Sequence, residues 1–159
     1  MLTDFQKGIL KSDIESNFAA NWAAGEVGII AAAYNTLASP DFYVWKTSVS
    51  NSEMHEAYVW TELDSITQLA KWEQFKLMIS QGNLNPSLPN VRQGLNDIFT
   101  GPNLANTRAN LISICKRKAT RVEELFSLGL GAGSDADPDT LDFQGVLYPQ
   151  DIYEAMSNG

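Results

Sequence analysis

Residues 64–80 carry apolar side chains in two stripes where an ordinary surface helix has one. Ile66, Leu69, Ala70 and Leu77 fall toward one side of a helix, and Trp72, Phe75 and Ile79 fall toward another. A surface helix needs a single apolar stripe to face its core. A helix with two stripes has to be covered twice, either centrally in a bundle or between its own core and a partner subunit. Gly82 ends it. The chain is therefore expected to be predominantly helical, with at least one helix packed on more than one side.

The flanking segments extend this expectation. Thr3-x-x-Gln6 is a capping-box pattern, and Phe5, Ile9 and Leu10 follow at helical spacing, which predicts a first helix over 4–15. Val27, Ile30, Ala31 and Tyr34 recur at i, i+3, i+4 and i+7, with Asn35 as the stop. After the Ser39-Pro40-Asp41 turn, Phe42 to Trp45 is either a short strand or an aromatic anchor. Ser50 or Asn51 caps a short helix through Tyr58. Pro86 and Pro89 fix a rigid loop before a helix carrying Val91, Leu95, Ile98 and Phe99, which Gly101-Pro102 stops.

Leu111, Cys115, Ala119, Val122 and Phe126 predict one long helix over 104–126. Gly129, Gly131 and Gly133 then open a Gly/Ser/Asp-rich stretch that reads as a hinge. Leu141 to Leu147 is compatible with a strand, and Pro149 opens a last helical turn or two through Met156. The expected fold class is all-α: a small helical bundle over 1–128, then a flexible hinge and an extended acidic C-terminal arm over 129–159, with a short β segment allowed.

The net charge of −8 on 159 residues is unevenly placed. Residues 98–122 hold five basic side chains (Arg108, Lys116, Arg117, Lys118 and Arg121) and no acid, whereas residues 123–159 hold eight acids and no base. Such segregation favours contact between a basic and an acidic stretch, within or between subunits. A solvated face without a specific role is the plainer alternative, since exposed pairs contribute little. Overall acidity argues against free nucleic-acid binding. One cysteine and one histidine exclude an internal disulfide and Cys/His zinc clusters. No apolar run approaches the ~18 residues of a membrane span, and Met1 to Leu10 lacks the pattern of a secretion signal.

No segment carries a catalytic or cofactor signature, so no enzyme activity and no cofactor are expected. Gly129 to Gly133 lacks the strand-before, helix-after context of a phosphate loop. Asp135-x-Asp137-x-Asp139 lacks the glycine and glutamate of a calcium loop, with Thr140 and Val146 at those places. His55 sits in a polar segment with no nucleophile placed near it, and Cys115 lies on the apolar stripe of its helix.

Three segments resemble a family of small virion proteins of tailed bacteriophages: Ser39 to Thr47, Asn85-Pro86 through Leu95, and Arg117 to Phe126 with the Gly-rich run after it. The similarity runs over about residues 26–138; the first helix and the tail after Asp139 depart from it. The resemblance implies a structural protein of the virion neck, made in the host bacterial cytoplasm: a head-to-tail adaptor, or connector, that forms a homo-oligomeric ring, commonly of twelve subunits. Such a ring joins the portal protein to tail or nozzle proteins, and DNA passes through its channel without specific binding. On that basis Lys116, Arg117, Lys118 and Arg121 are expected to form an assembly face, and Leu141, Phe143, Leu147 and Tyr148 to anchor a docking arm. Another tail-completion or tail-assembly role, or an acidic host-interacting protein that mimics nucleic acid, are the alternatives. No membrane partner is expected.

Overall fold

The computed structural model describes residues 2–157. The described chain is mostly helical, with a small strand component. In order it runs α1 (Asp4–Asn17), α2 (Ala19–Ala23), α3 (Val27–Tyr34), β1 (Tyr43–Trp45), β2 (Val49–Ser50), α4 (Asn51–Ala57), α5 (Trp60–Leu63), α6 (Leu69–Ser80), β3 (Asn83–Leu84), α7 (Pro89–Ile98), α8 (Ala105–Ile114), β4 (Lys116–Lys118), α9 (Arg121–Leu125) and α10 (Pro149–Ser157). A single 3-10 turn, Pro102–Leu104, leads into α8. The strands form two two-stranded sheets, β1 with β4 and β2 with β3. The β2–β3 pair is antiparallel, with Val49 opposite Leu84.

The chain divides into two compact units: Met1–Val44 with Lys118–Gly159, and Trp45–Arg117. This boundary does not follow the one drawn in the sequence at residue 128. The reason is local to the first unit, where the C-terminal segment supplies core residues: Leu147, Ile152 and Ala155 are buried with Leu10, Ile14, Ile30, Tyr34, Val122 and Phe126. In this structure residues 134–157 are thus folded onto the first unit's own helices, α10 packing on α1 and α3, and are not an extended arm.

In that unit, Thr3 and Gln6 form the expected capping box: Gln6 N–H donates to Thr3 Oγ1 (3.2 Å) and Thr3 N–H to Gln6 Oε1 (3.0 Å). Gln6 also donates to Asp142 Oδ2 at 2.9 Å. With its amide satisfied twice over, Gln6 is buried, while Phe5, expected on the apolar face, is 77% exposed. Helix α3 ends at Asn35 as expected. Its side chain then clamps the Leu147 backbone, donating Nδ2 to Leu147 O (2.8 Å) and accepting Leu147 N–H at Oδ1 (2.8 Å).

The expected long helix over 104–126 is corrected: α8 stops at Ile114, β4 follows, and α9 starts at Arg121. Extended backbone gives Ala119 two partners that a helix would forgo: its N–H donates to Phe42 O (2.8 Å) and its carbonyl accepts from Ala38 N–H (3.1 Å). Thr120 is extended, and its N–H is taken by Glu123 Oε2 at 3.0 Å, the mark of a fresh helix start. The apolar positions Cys115, Ala119, Val122 and Phe126 are buried all the same, so their spacing is served by a strand and a new helix. The possible strand over 141–147 is reduced to an isolated bridge, Leu141 opposite Ser127.

The second unit has its own core, with Val49, Met54, Leu63, Phe75, Leu95, Phe99 and Leu111 at its centre. Ser50 and Glu53 form a capping box at α4. Helix α8 has no side-chain cap of its own. Glu62 supplies one from α5, accepting from Thr107 N–H (2.8 Å) and Asn106 Nδ2 (2.7 Å). Those hydrogen bonds, led by the Thr107 N–H, hold the Glu62 carboxyl below the usual carboxylate range. From α7, Arg92 reaches back to the preceding loop, donating to Pro86 O (2.7 Å) and Ser87 O (2.8 Å), and lies 4.6 Å over the Trp45 ring. Helix α6 begins at Leu69, not at 64, because α5 and a turn occupy 60–66.

Candidate assembly surface

The four basic residues expected to form one assembly face are divided by the break in the expected helix. Lys116 and Arg117 lie on β4 in the second unit; Lys118 and Arg121 belong to the first. Lys118 pairs with Asp41 at 2.7 Å, a bond between largely exposed side chains, and this partner raises the lysine's pKa.

Arg121 is held by several contacts at once. Its Nη2 lies 3.1 Å from Asp13 Oδ2, and its guanidinium lies 4.8 Å over the Phe18 ring and 5.2 Å from the Tyr34 ring centre. The Tyr34 hydroxyl donates to the same Asp13 oxygen, and Asn17 Nδ2 donates to Asp13 Oδ1 at 2.9 Å. Burial, reinforced by the Asp13 carboxylate, pushes the Tyr34 phenol far above its ordinary value. A cation held between a carboxylate and two aromatic faces is a rigid element. Arg121 therefore ties α9 to α1 and α3 before it can serve any partner.

This cluster forms part of the wall of an open groove of about 640 Å³ lined by Asp13, Phe18, Thr36, Leu37, Arg121 and Glu124, among others. A shallower hollow of about 400 Å³ along α1 shares Asp13 and Leu125 with it and adds Ile9, Ser12, Ser16 and Asn17. Leu37 is 58% exposed at the groove. The arrangement offers apolar surface beside carboxylates and one fixed guanidinium. Sequence reasoning named Arg121 but not Asp13, Phe18, Tyr34 or Glu124, which only tertiary packing brings to it.

The proposed arm residues separate by burial. Leu147 is buried in the first unit's core. Phe143 is half-buried, its ring edge-on to Phe126 with centroids 5.5 Å apart. Leu141 is half-buried beside Ser127, and Tyr148 stands 65% exposed. Only Tyr148 presents most of its surface.

The glycine run is organised by Asp139, which is 1% exposed. Its carboxylate accepts from the N–H groups of Gly129 (3.0 Å), Leu130 (2.8 Å), Gly131 (3.2 Å) and Thr140 (2.7 Å). Successive N–H groups of this kind make an anion-binding concavity, and here the chain's own carboxylate fills it. Burial pushes the Asp139 pKa up, but these N–H groups and the Ser127 hydroxyl outweigh it and hold the carboxyl below its ordinary value. Gly133 is required outright: its φ is +68°, and a Cβ there would stand 2.0 Å from a Phe42 ring carbon.

Cys115 is buried, and burial raises its thiol to about 11. His55 is exposed beside Tyr58 and Trp60, with ring centroids 5.6 and 6.0 Å away. Among the described residues, no group of three His, Cys, Asp or Glu side chains is placed to hold a metal ion, and no helix is long and apolar enough to cross a membrane. No family model, curated protein or solved structure matches the chain.

Proposed function

We propose that this chain is a structural protein of a tailed-phage virion, a ring-forming adaptor between portal and tail. Two lines support the reading: the resemblance of three sequence segments, and the division of charge between the two units. The carrying observation is the second. The first unit holds four basic and thirteen acidic side chains, net −9, while the second holds seven basic and six acidic, net +1. A strongly acidic unit and a near-neutral unit in one subunit favour heterologous contacts, which close into rings when the rotation between neighbours allows. Lys116 and Arg117 of one subunit meeting the acid-lined groove of the next is the contact this reading calls for. The ring number, the portal and tail contacts, and a channel wall that passes DNA without holding it belong to the same proposal.

Mass spectrometry of purified virions tests it. The protein should be present at ring stoichiometry relative to the portal; its absence from particles overturns the reading. The concentration of acid on one unit also favours the alternative of a host-interacting nucleic-acid mimic. That protein would be missing from particles and would instead co-purify with a host DNA-binding protein. Lys116→Glu with Arg117→Glu should weaken incorporation and its salt dependence; normal incorporation removes the charged contact.

A further inference from the structure

Of the two apolar stripes on α6, the one bearing Trp72, Phe75 and Ile79 faces the core of its unit, with Phe75 4% exposed. The other remains uncovered in the single chain: Leu69 is 73% exposed and Leu77 65%. These two leucines lie on one line of the helix, two turns and ~12 Å apart, with Glu73 midway between them. Beside Leu69 opens a hollow of about 310 Å³ with mixed polar and apolar walls, bounded by Leu63, Asp64, Ile66, Thr67, Leu69 and Trp72. The hollow thus opens beside Leu69 on the Trp72 side, and the stripe carries a projecting leucine at each end. Between them, Lys76 and Glu73 pair at 2.9 Å on the exposed face.

We propose that this face of α6 is a self-association surface whose occupant is α6 of a second copy, running antiparallel about a two-fold axis at Glu73. A two-fold contact requires a patch complementary to itself. In this arrangement Leu77 of each copy enters the hollow beside Leu69 of the other, so one knob-and-hollow contact is made twice. Charge agrees with it. Each copy brings one Glu73 and one Lys76 to the centre; the two glutamates meet at the axis with a lysine flanking them on each side, so that each lysine can reach either glutamate. The parallel two-fold alignment would set Leu77 against Leu77, leave both hollows without it, and stack Lys76 on Lys76 as well as Glu73 on Glu73. The contact does not depend on the adaptor reading, since it concerns the free chain and a different surface from the groove at Arg121.

The experiment is sedimentation of the full chain over a concentration series, roughly 5–200 µM, a range suited to a contact smaller than standard interfaces. A reversible dimer is expected. Leu77→Lys, a change at an exposed position that leaves the fold intact by circular dichroism, should weaken association at least tenfold. Glu73→Lys should do the same by placing four cations at the axis, and the swap Glu73→Lys with Lys76→Glu should restore it. Glu73→Cys should form an intermolecular disulfide on mild oxidation, because the axis brings position 73 against itself, whereas Ser80→Cys should not. A wild-type chain that stays monomeric overturns the proposal. So does an oligomer unaffected by Leu77→Lys, or a Glu73→Cys variant that fails to cross-link; the last would point to a heterologous contact.

Discussion

Asp139 is nearly inaccessible to solvent, yet its carboxyl is held below its ordinary pKa, because four backbone N–H groups converge on it. Removing it leaves buried donors unpaired, the costly half of the hydrogen-bond balance. Asp139→Ala should therefore destabilise the first unit by about 3 kcal/mol in urea unfolding, whereas Asp137→Ala, which frees only the exposed Ala132 N–H, should cost under about 1 kcal/mol. The sign of the pH effect follows from the depressed pKa. The stabilisation is complete above the unfolded aspartate value of about 4 and is lost as pH falls through the lower folded value. Glu53 acts in the same direction: the Ser50 N–H and the Lys46 and Ser50 side chains lower its pKa to about 2. Its contribution to the α4 start should fade between about pH 4 and pH 2. A urea midpoint that does not fall across pH 5 to 2, or an Asp139→Asn variant with an unchanged acid limb, would contradict this. Arg121 belongs to the same scale. Arg121→Ala removes one partly exposed ion pair and two cation–ring contacts, and should cost about 1–2 kcal/mol.

At the scale of elements, Asn35 joins two segments that share no secondary structure, the end of α3 and the irregular stretch before α10. Asn35→Ala should lower stability by about 1–2 kcal/mol and speed hydrogen exchange at the Leu147 amide. Exchange unchanged at Leu147 would show that apolar burial alone holds it. This clamp was not legible in the sequence, where Asn35 reads only as a helix stop; a side chain reaching across 112 positions leaves no periodic trace. Local signals were legible: the Thr3 and Ser50 capping boxes, the stop at Asn35 and the Pro149 start of α10 all stand where residue chemistry puts them. The break after Ile114 had a local signal too, Thr120-x-x-Glu123, but the periodic apolar line through Cys115 and Phe126 outweighed it. That line reports burial, and burial at Cys115, Ala119 and Val122 is satisfied equally well by β4 followed by α9. The groove at Arg121 was legible only by one of its walls. Asp13, Tyr34 and Phe18 reach Arg121 through the packing of α1 and α3, which no spacing encodes.

At the scale of the whole molecule, the division into units changes what truncation should do. Deleting residues 134–159 removes Leu147, Ile152 and Ala155 from the first unit's core and Asp139 from its glycine loop. The first unit should then lose cooperative unfolding, so the deletion reports on folding before it reports on assembly. The second unit is a single continuous stretch, Trp45–Arg117. Its own ends already meet, Lys46 N–H donating to Cys115 O at 2.8 Å. Its apolar centre is complete, and its two capping arrangements, at Ser50 and Glu62, and the contacts of Arg92 with the Pro86 and Ser87 carbonyls use only its own residues. Excised as residues 45–117, it should fold alone, with helical circular dichroism and a cooperative urea transition. A core of this size supports only about 3–5 kcal/mol, so the midpoint should be low. Within the isolated fragment, at concentrations where it is monomeric, Glu62→Ala should lower that midpoint further by uncapping α8, whereas Leu77→Lys should leave it unchanged, because Leu77 contributes nothing to this core. A fragment that unfolds without cooperativity would mean that Trp45–Arg117 is compact only in the company of the remaining chain.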